Sequence, residues 1–143
     1  MIAYIDTSAF MKRFITEVHS DAVDALLQSE TYRPAISSLT VTEFRSVLKR
    51  RLRDNTINSA FANKAISQLL EEIASGALRF HAIDAAIFNL AGELIDKLVS
   101  PLGTLDALHL ACAKATGADV MISSDKQLLR AAFEADMQII DFS

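Results

Sequence analysis

Short apolar runs alternate along the chain with stretches whose apolar residues recur every three or four positions. The first run, Ile2 to Ile5, stops at Asp6, and the spacing from Ala9 onward is helical. A second helical stretch, Ser20 to Gln28, leads through "TYRP" to a short strand at Ala35 to Ser37. "LTVTEFRSVLKRRL" carries an apolar stripe at Val41, Phe44, Val47, Leu48 and Leu52. "INSAFANKAISQLLEEIASG" carries another at Phe61, Ala65, Ile66, Leu69, Leu70 and Ile73, ending at Gly76, so the two predict an antiparallel helical pair. "LRFHAI" then predicts a strand, Asp84 to Leu98 a helix, and Pro101 with Gly103 a loop. "TLDALHLACAKATGA" is a helix apolar nearly all round, followed by the strand "DVMI", the helix "DKQLLRAAFEA" and the strand "QIID". Strands alternating with helices predict one α/β domain over residues 1–143, a central, mainly parallel sheet with helices on both faces.

Composition adds little to that picture and excludes several classes. A chain of 143 residues can bury roughly two thirds of its unfolded surface, and a hydrophobic share of 51% with few glycines and prolines argues against disorder. The net charge of −4 excludes a surface that is basic all over but leaves room for a local basic face. The single cysteine, Cys112, lies among alanines and leucines, reads as core, and fits a reducing compartment. Asp6 interrupts the N-terminal apolar run too early for a signal peptide, and no run of about 18 apolar residues exists to span a membrane. The expectation is a cytoplasmic protein.

The candidate chemistry lies in four acids, each with a structural rival. Asp6 stands where a strand becomes a helix, so either it or Thr7 caps that helix, or its carboxylate sits at the carboxyl edge of the sheet, where α/β folds collect ligands. Glu43 follows Thr40 by three residues, a capping box, and Asp125 stands in the first turn of a helix opened by Ser124 with Gln127. Asp106 is harder to assign to capping, because its helix offers no obvious solvent face and a buried carboxylate needs a cation beside it. Asp6 and Asp125 both follow strands, and in a parallel sheet those ends share one side. Carboxylates gathered there repel one another unless a cation neutralises them, and hard oxygen donors suit Mg²⁺ or Mn²⁺.

The chain resembles the PIN-domain ribonucleases, in particular the VapC toxins of toxin–antitoxin pairs, along its whole length. "YIDTSAFMKRF", "SSLTVTEFRSVL", "GTLDALHLACA" and "ISSDKQLLRAA" resemble the family's motifs in order and spacing. The resemblance makes Asp6, Glu43, Asp106 and Asp125 the acidic site around a Mg²⁺ or Mn²⁺ ion, with Ser8 and Ser123 as its polar helpers. Asp6 and Asp106 would hold the metal, Asp125 would complete the site or hold a second ion, and Glu43 would orient or deprotonate the attacking water. It also implies an endoribonuclease that leaves a 5′-phosphate and a 3′-hydroxyl, a VapB-like antitoxin and a homodimer. Gly103 departs from the pattern, since many relatives carry an arginine three residues before the third acid, and Lys12 or Arg13 are the candidate substitutes. Lys49, Arg50 and Arg51, within "KRRLR", are further RNA-binding candidates, set against an ordinary solvated face. His109, one turn beyond Asp106, reads as a hydrogen-bonded core residue.

Two other classes compete with the nuclease. A phosphatase with an aspartyl nucleophile would need a second aspartate two positions after Asp6, where Ser8 stands. A non-catalytic protein-binding module would need the acids only as helix caps.

Overall fold

The computed structural model describes residues 1–143. Its strands are β1 (Ile2–Ile5), β2 (Arg33–Ser37), β3 (Arg79–His81), β4 (Val120–Ser123) and β5 (Gln138–Asp141). Between them run α1 (Thr7–Phe10), a 3₁₀ turn (Met11–Arg13), α2 (Ser20–Gln28), α3 (Ser38–Arg53), α4 (Ser59–Ser75), α5 (Ala85–Lys97), α6 (Thr104–Ala115) and α7 (Lys126–Glu134). The sheet order is β3-β2-β1-β4-β5, and every neighbouring pair is parallel.

Strand sequence explains this order. β4 is buried along its whole length and β1 from Ala3 onward, which suits the two most apolar runs to the middle of the sheet. The two-residue alternation of strands then divides the core. Tyr4, Ala35 and Met121 join α5, α6 and α7 in one layer, while Ala3, Ile5, Ile36, Val120 and Ile122 join Phe10, Phe44 and Leu69 in the other. α6 is central to the first layer: its residues from Ala107 to Ala113, Cys112 included, are all buried. No helix is long and apolar enough to cross a membrane.

Three elements differ from the sequence expectation. The helix foreseen from Ala9 is a single turn that continues as a 3₁₀ turn, because Phe10 and Phe14 bend inward to meet the Phe44 ring at centroid distances of 6.2 and 4.9 Å. Along α4 the buried face is Ala62, Ala65 and Leu69, whereas Phe61 and Leu70 stay exposed at 39% and 44%. The stripe expected there runs one position off at its start, since small side chains form the contact layer. α3 begins at Ser38 with Ser37 as its cap, so Thr40 sits inside the helix and the expected box from Thr40 to Glu43 does not form. α4 does end as foreseen, on Gly76 with φ of +79°, a left-handed conformation that glycine adopts without strain.

Phe44 is fully buried between α3 and the β1–α1 turn, one residue after Glu43. Phe44→Ala is expected to cost about 3–5 kcal/mol of unfolding free energy by urea titration. An unchanged midpoint would show that α3 is anchored elsewhere.

Candidate active site

The parallel register brings the carboxyl ends of β2, β1 and β4 side by side, and Asp6 is tied to β4 by its own N–H, which donates to the Ile122 carbonyl at 3.1 Å. Asp6 caps α1, its Oδ1 accepting from the Ala9 N–H at 3.1 Å, and it is 4% exposed. Both readings of this residue therefore hold together. Ser8 donates to both of its oxygens at 2.8 and 2.9 Å, and Ser123 donates to Oδ2 at 2.7 Å, so the two polar helpers do meet the first acid. Burial raises the Asp6 pKa; the bond from Ser123, the charge of His109 and the bonds from Ala9 and Ser8 oppose it.

Asp125 is itself the cap of α7, rather than a first-turn residue behind Ser124. Its Oδ1 accepts from the Gln127 and Leu128 N–H groups at 2.9 and 3.3 Å, and Oδ2 has no protein partner. Ser123 joins the two acids, donating to Asp6 while accepting from the Asp125 N–H at 2.9 Å. Ser8 accepts in turn from the Ser124 N–H at 3.2 Å, which laces the β1–α1 and β4–α7 turns together.

Asp106 occupies the first turn of α6 and has no hydrogen-bond partner on either carboxylate oxygen. Burial, and next the negative charge of Asp125, push its pKa from the ordinary 3.8 up to about 6; Asp6 and Glu43 add to the rise, and His109 opposes it.

Glu43, free of any capping duty, accepts two short bonds on one oxygen. Thr7 Oγ1 and His109 Nε2 both reach Oε1 at 2.6 Å, and Oε2 has no protein partner. Burial works to raise the Glu43 pKa, but the bond and charge of His109 and the bond from Thr7 outweigh it and hold the group below its usual range. His109 is buried and hydrogen-bonded, as expected of a core residue, yet one of its partners belongs to the acidic site. Its Nδ1 lies 2.8 Å from the Tyr4 hydroxyl, which also reaches Ser37 Oγ at 2.9 Å. Thr7 and Tyr4 were not legible as site residues. The signal available was their position, immediately after and two before Asp6 on the same strand-to-helix turn.

The basic candidates divide. Lys12 is 8% exposed and its ammonium is held by the Val18 carbonyl at 2.9 Å and by Glu17 at 3.6 Å. Arg13 makes two bonds to Glu72, at 2.7 and 2.8 Å, and lies over the Phe10 and Phe14 rings. Both cations are engaged within the fold. Arg51 lies 3.8 Å from Glu17, while Lys49 and Arg50 are exposed. Arg50 is seven residues beyond Glu43 on α3, on the same helix face roughly 10 Å along the axis.

A profile of the PIN domain family matches residues 3–134. The chain is also 31% identical to Ribonuclease VapC46 of Mycobacterium tuberculosis over 139 residues, which is 96% of this chain and 95% of that protein. The chain belongs to the PIN domain family. Among solved structures it is similar to VapC20 of Mycobacterium tuberculosis, described as a sarcin–ricin loop cleaving toxin, with a TM-score of 0.71, 18% identity, and coverage of 90% of this chain and 94% of that one. VapBC2 of Rickettsia felis, bound to a promoter DNA fragment, aligns with a TM-score of 0.67, 15% identity and full coverage of both chains.

The donor set of this PIN domain fits a hard divalent cation. No three His, Cys, Asp or Glu side chains form a ready-made ligating cluster. Mg²⁺, however, keeps several waters and commonly takes only one or two carboxylates directly. Asp106 with both oxygens open, Asp125 with Oδ2 and Glu43 with Oε2 offer anionic acceptors that the protein leaves unpaired. Ser124 Oγ, between Ser123 and Asp125, is the one buried side-chain polar atom without a hydrogen-bond partner.

The raised Asp106 pKa means that the folded protein holds this proton more tightly than the unfolded chain does. In metal-free protein the resulting penalty is absent below the unfolded value of 3.8, grows as pH rises to about 6, and is complete above that. Asp106→Asn is therefore expected to raise the melting temperature at pH 7 to 8 in the presence of chelator, with the gain vanishing near pH 4. A gain independent of pH would exclude charge crowding as its cause.

Proposed function

We propose that this PIN domain is a metal-dependent endoribonuclease of the toxin type, hydrolysing RNA phosphodiester bonds and held inactive by an antitoxin. The carrying observation is that Asp6, Glu43 and Asp125 all press their charge on Asp106, and that Asp106, Asp125 and Glu43 each keep a carboxylate oxygen without a protein partner. The relative at 31% identity is a ribonuclease, and a toxin and a toxin–antitoxin complex share the fold.

Mg²⁺ or Mn²⁺ would be held by Asp6, Asp106 and Asp125. Bound there, it would supply a water of lowered pKa and neutralise the charge that develops on the phosphate. Asp6, with both oxygens already accepting serine and backbone bonds, is the fixed member that orients the site. Asp106 and Asp125 supply the open oxygens. Glu43, kept ionised by His109 and Thr7, orients the water through Oε2 or takes its proton, and the products are a 5′-phosphate and a 3′-hydroxyl. The exposed cations Lys49 and Arg50 are placed to meet RNA phosphates, a contact that positions without reading sequence.

Capping alone would make the acids a feature of a non-catalytic binding module. It accounts for Asp6 and Asp125, which do cap helices, and leaves Asp106 and Glu43 unexplained.

The antitoxin would lay an extended or helical segment over the acidic pocket, an Arg or Lys reaching the open oxygens by charge-assisted bonds. Its apolar part would rest on the α3–α4 pair, where Phe14, Leu52, Ile57 and Phe61 line a groove with Lys49. The inhibited unit is a homodimer in the cytoplasm.

Asp6→Asn and Asp106→Asn are each expected to abolish cleavage of structured RNA while circular dichroism stays native. Glu43→Gln should lower kcat and leave the Mn²⁺ affinity, measured by titration calorimetry, less changed than Asp106→Asn does. Wild-type cleavage by the aspartate variants would refute the nuclease reading. Rising Mg²⁺ should relieve inhibition by the co-expressed antitoxin; inhibition that ignores Mg²⁺ and survives loss of all the partner's basic residues would exclude a segment filling the pocket.

A further inference from the structure

Glu43 is bound on one side only. Thr7 Oγ1, from the start of α1, and His109 Nε2, from α6, meet the same atom, Oε1, at 2.6 Å each. From these contacts we infer that Thr7 and His109 are positioning residues for the hydrolysis: together they clamp Oε1 of Glu43 and so present Oε2, the oxygen without a protein partner, for the chemistry. The inference rests on the reading of Glu43 as the residue that handles the water.

The proton inventory supports this arrangement. An ionised Glu43 can only accept, so both neighbours must donate, and His109 must carry its proton on Nε2. Nδ1 then accepts from the Tyr4 hydroxyl or, in the doubly protonated ring, donates to it. Both arrangements satisfy the 2.8 Å contact and leave Nε2 as the donor to Glu43. Tyr4 is fully buried on β1 and reaches Ser37 at the end of β2, so the imidazole is held from the sheet side by a rigid group. A carboxylate with one oxygen fixed by two donors from different elements cannot rotate without breaking both bonds. Charge-assisted bonds of this length are among the stronger ones in proteins. His109 lies three residues after Asp106, so one face of α6 delivers an acid to the site and the clamp to its neighbour.

Paired substitutions separate a donor from a space-filler. Thr7→Val keeps the shape and removes the hydroxyl, and Thr7→Ser does the reverse. His109→Gln can place an amide nitrogen where Nε2 stands, whereas His109→Asn reaches only the Nδ1 position. Thr7→Val and His109→Asn are expected to lower kcat on the order of a hundredfold, with KM and Mn²⁺ affinity close to wild type. Thr7→Ser and His109→Gln should stay within about tenfold of wild type. Crystal structures of the metal-free variants should show the Glu43 carboxylate displaced in the first pair and retained in the second.

If Thr7→Val and His109→Asn cleave like wild type while Glu43→Gln does not, the clamp has no role and the inference fails. It fails equally if activity follows side-chain volume, with Thr7→Ser worse than Thr7→Val and the two His109 variants alike. Wild-type cleavage by Glu43→Gln would instead remove the reading of Glu43 on which the inference stands.

Discussion

A carboxylate buried at the end of the central strand sets the terms for the rest of this molecule. Asp6 is nearly inaccessible to water, and a charge in that position persists only if every oxygen is satisfied. Its partners come from three places: the Ala9 N–H of the helix it caps, the Ser8 hydroxyl beside it, and Ser123 on the neighbouring strand. The last contact requires β1 and β4 to be adjacent, parallel and in register. The polar requirement of one side chain and the topology of the sheet are thus the same constraint seen at two scales.

Gathering the other acids next to Asp6 carries an electrostatic cost that the fold only partly offsets. Glu43 is compensated by His109 and Thr7 and is held below the usual carboxylate range, whereas Asp106 has no such partner and is pushed above it. Two neighbouring acids are therefore displaced in opposite directions by their surroundings, as the division of labour in the proposed function requires. The lysine and arginine nearest in sequence to Asp6, Lys12 and Arg13, form ion pairs elsewhere and do not relieve the crowding. In the proposed function a divalent ion relieves this crowding, and a guanidinium from the antitoxin competes with it.

Under the proposed function, structural duty and chemical duty overlap in four residues. Asp6 and Asp125 cap helices and belong to the acidic group, and Ser123 ends a strand while bridging them. His109 fills a core position in the α6 layer and grips Glu43. This economy explains why Asp6, Asp125, Ser123 and His109 each have an adequate structural explanation when taken singly. It also explains why substitutions here must be compared in pairs that change hydrogen bonding at constant volume.

The sequence by itself determined the alternation of strands and helices, the buried central strands, the helix α6 apolar nearly all round, and the acids that follow β1 and β4, because these depend on local periodicity and on residue type. It placed α2 and β5 at their observed limits and ended α4 at Gly76. It did not determine which oxygen of Glu43 is held, that Ser37 rather than Thr40 caps α3, that Phe61 faces solvent, or that Lys12 and Arg13 are already paired. Apart from the local Ser37–Thr40 cap, those depend on contacts between residues separated along the chain, such as Lys12 with Val18 and Asp6 with Ser123, which only packing selects. His109 shows the boundary most clearly. Its burial follows from an apolar helix, but its role depends on where α3 and β1 bring Glu43 and Tyr4 against the two ring nitrogens, and only the tertiary structure brings them together.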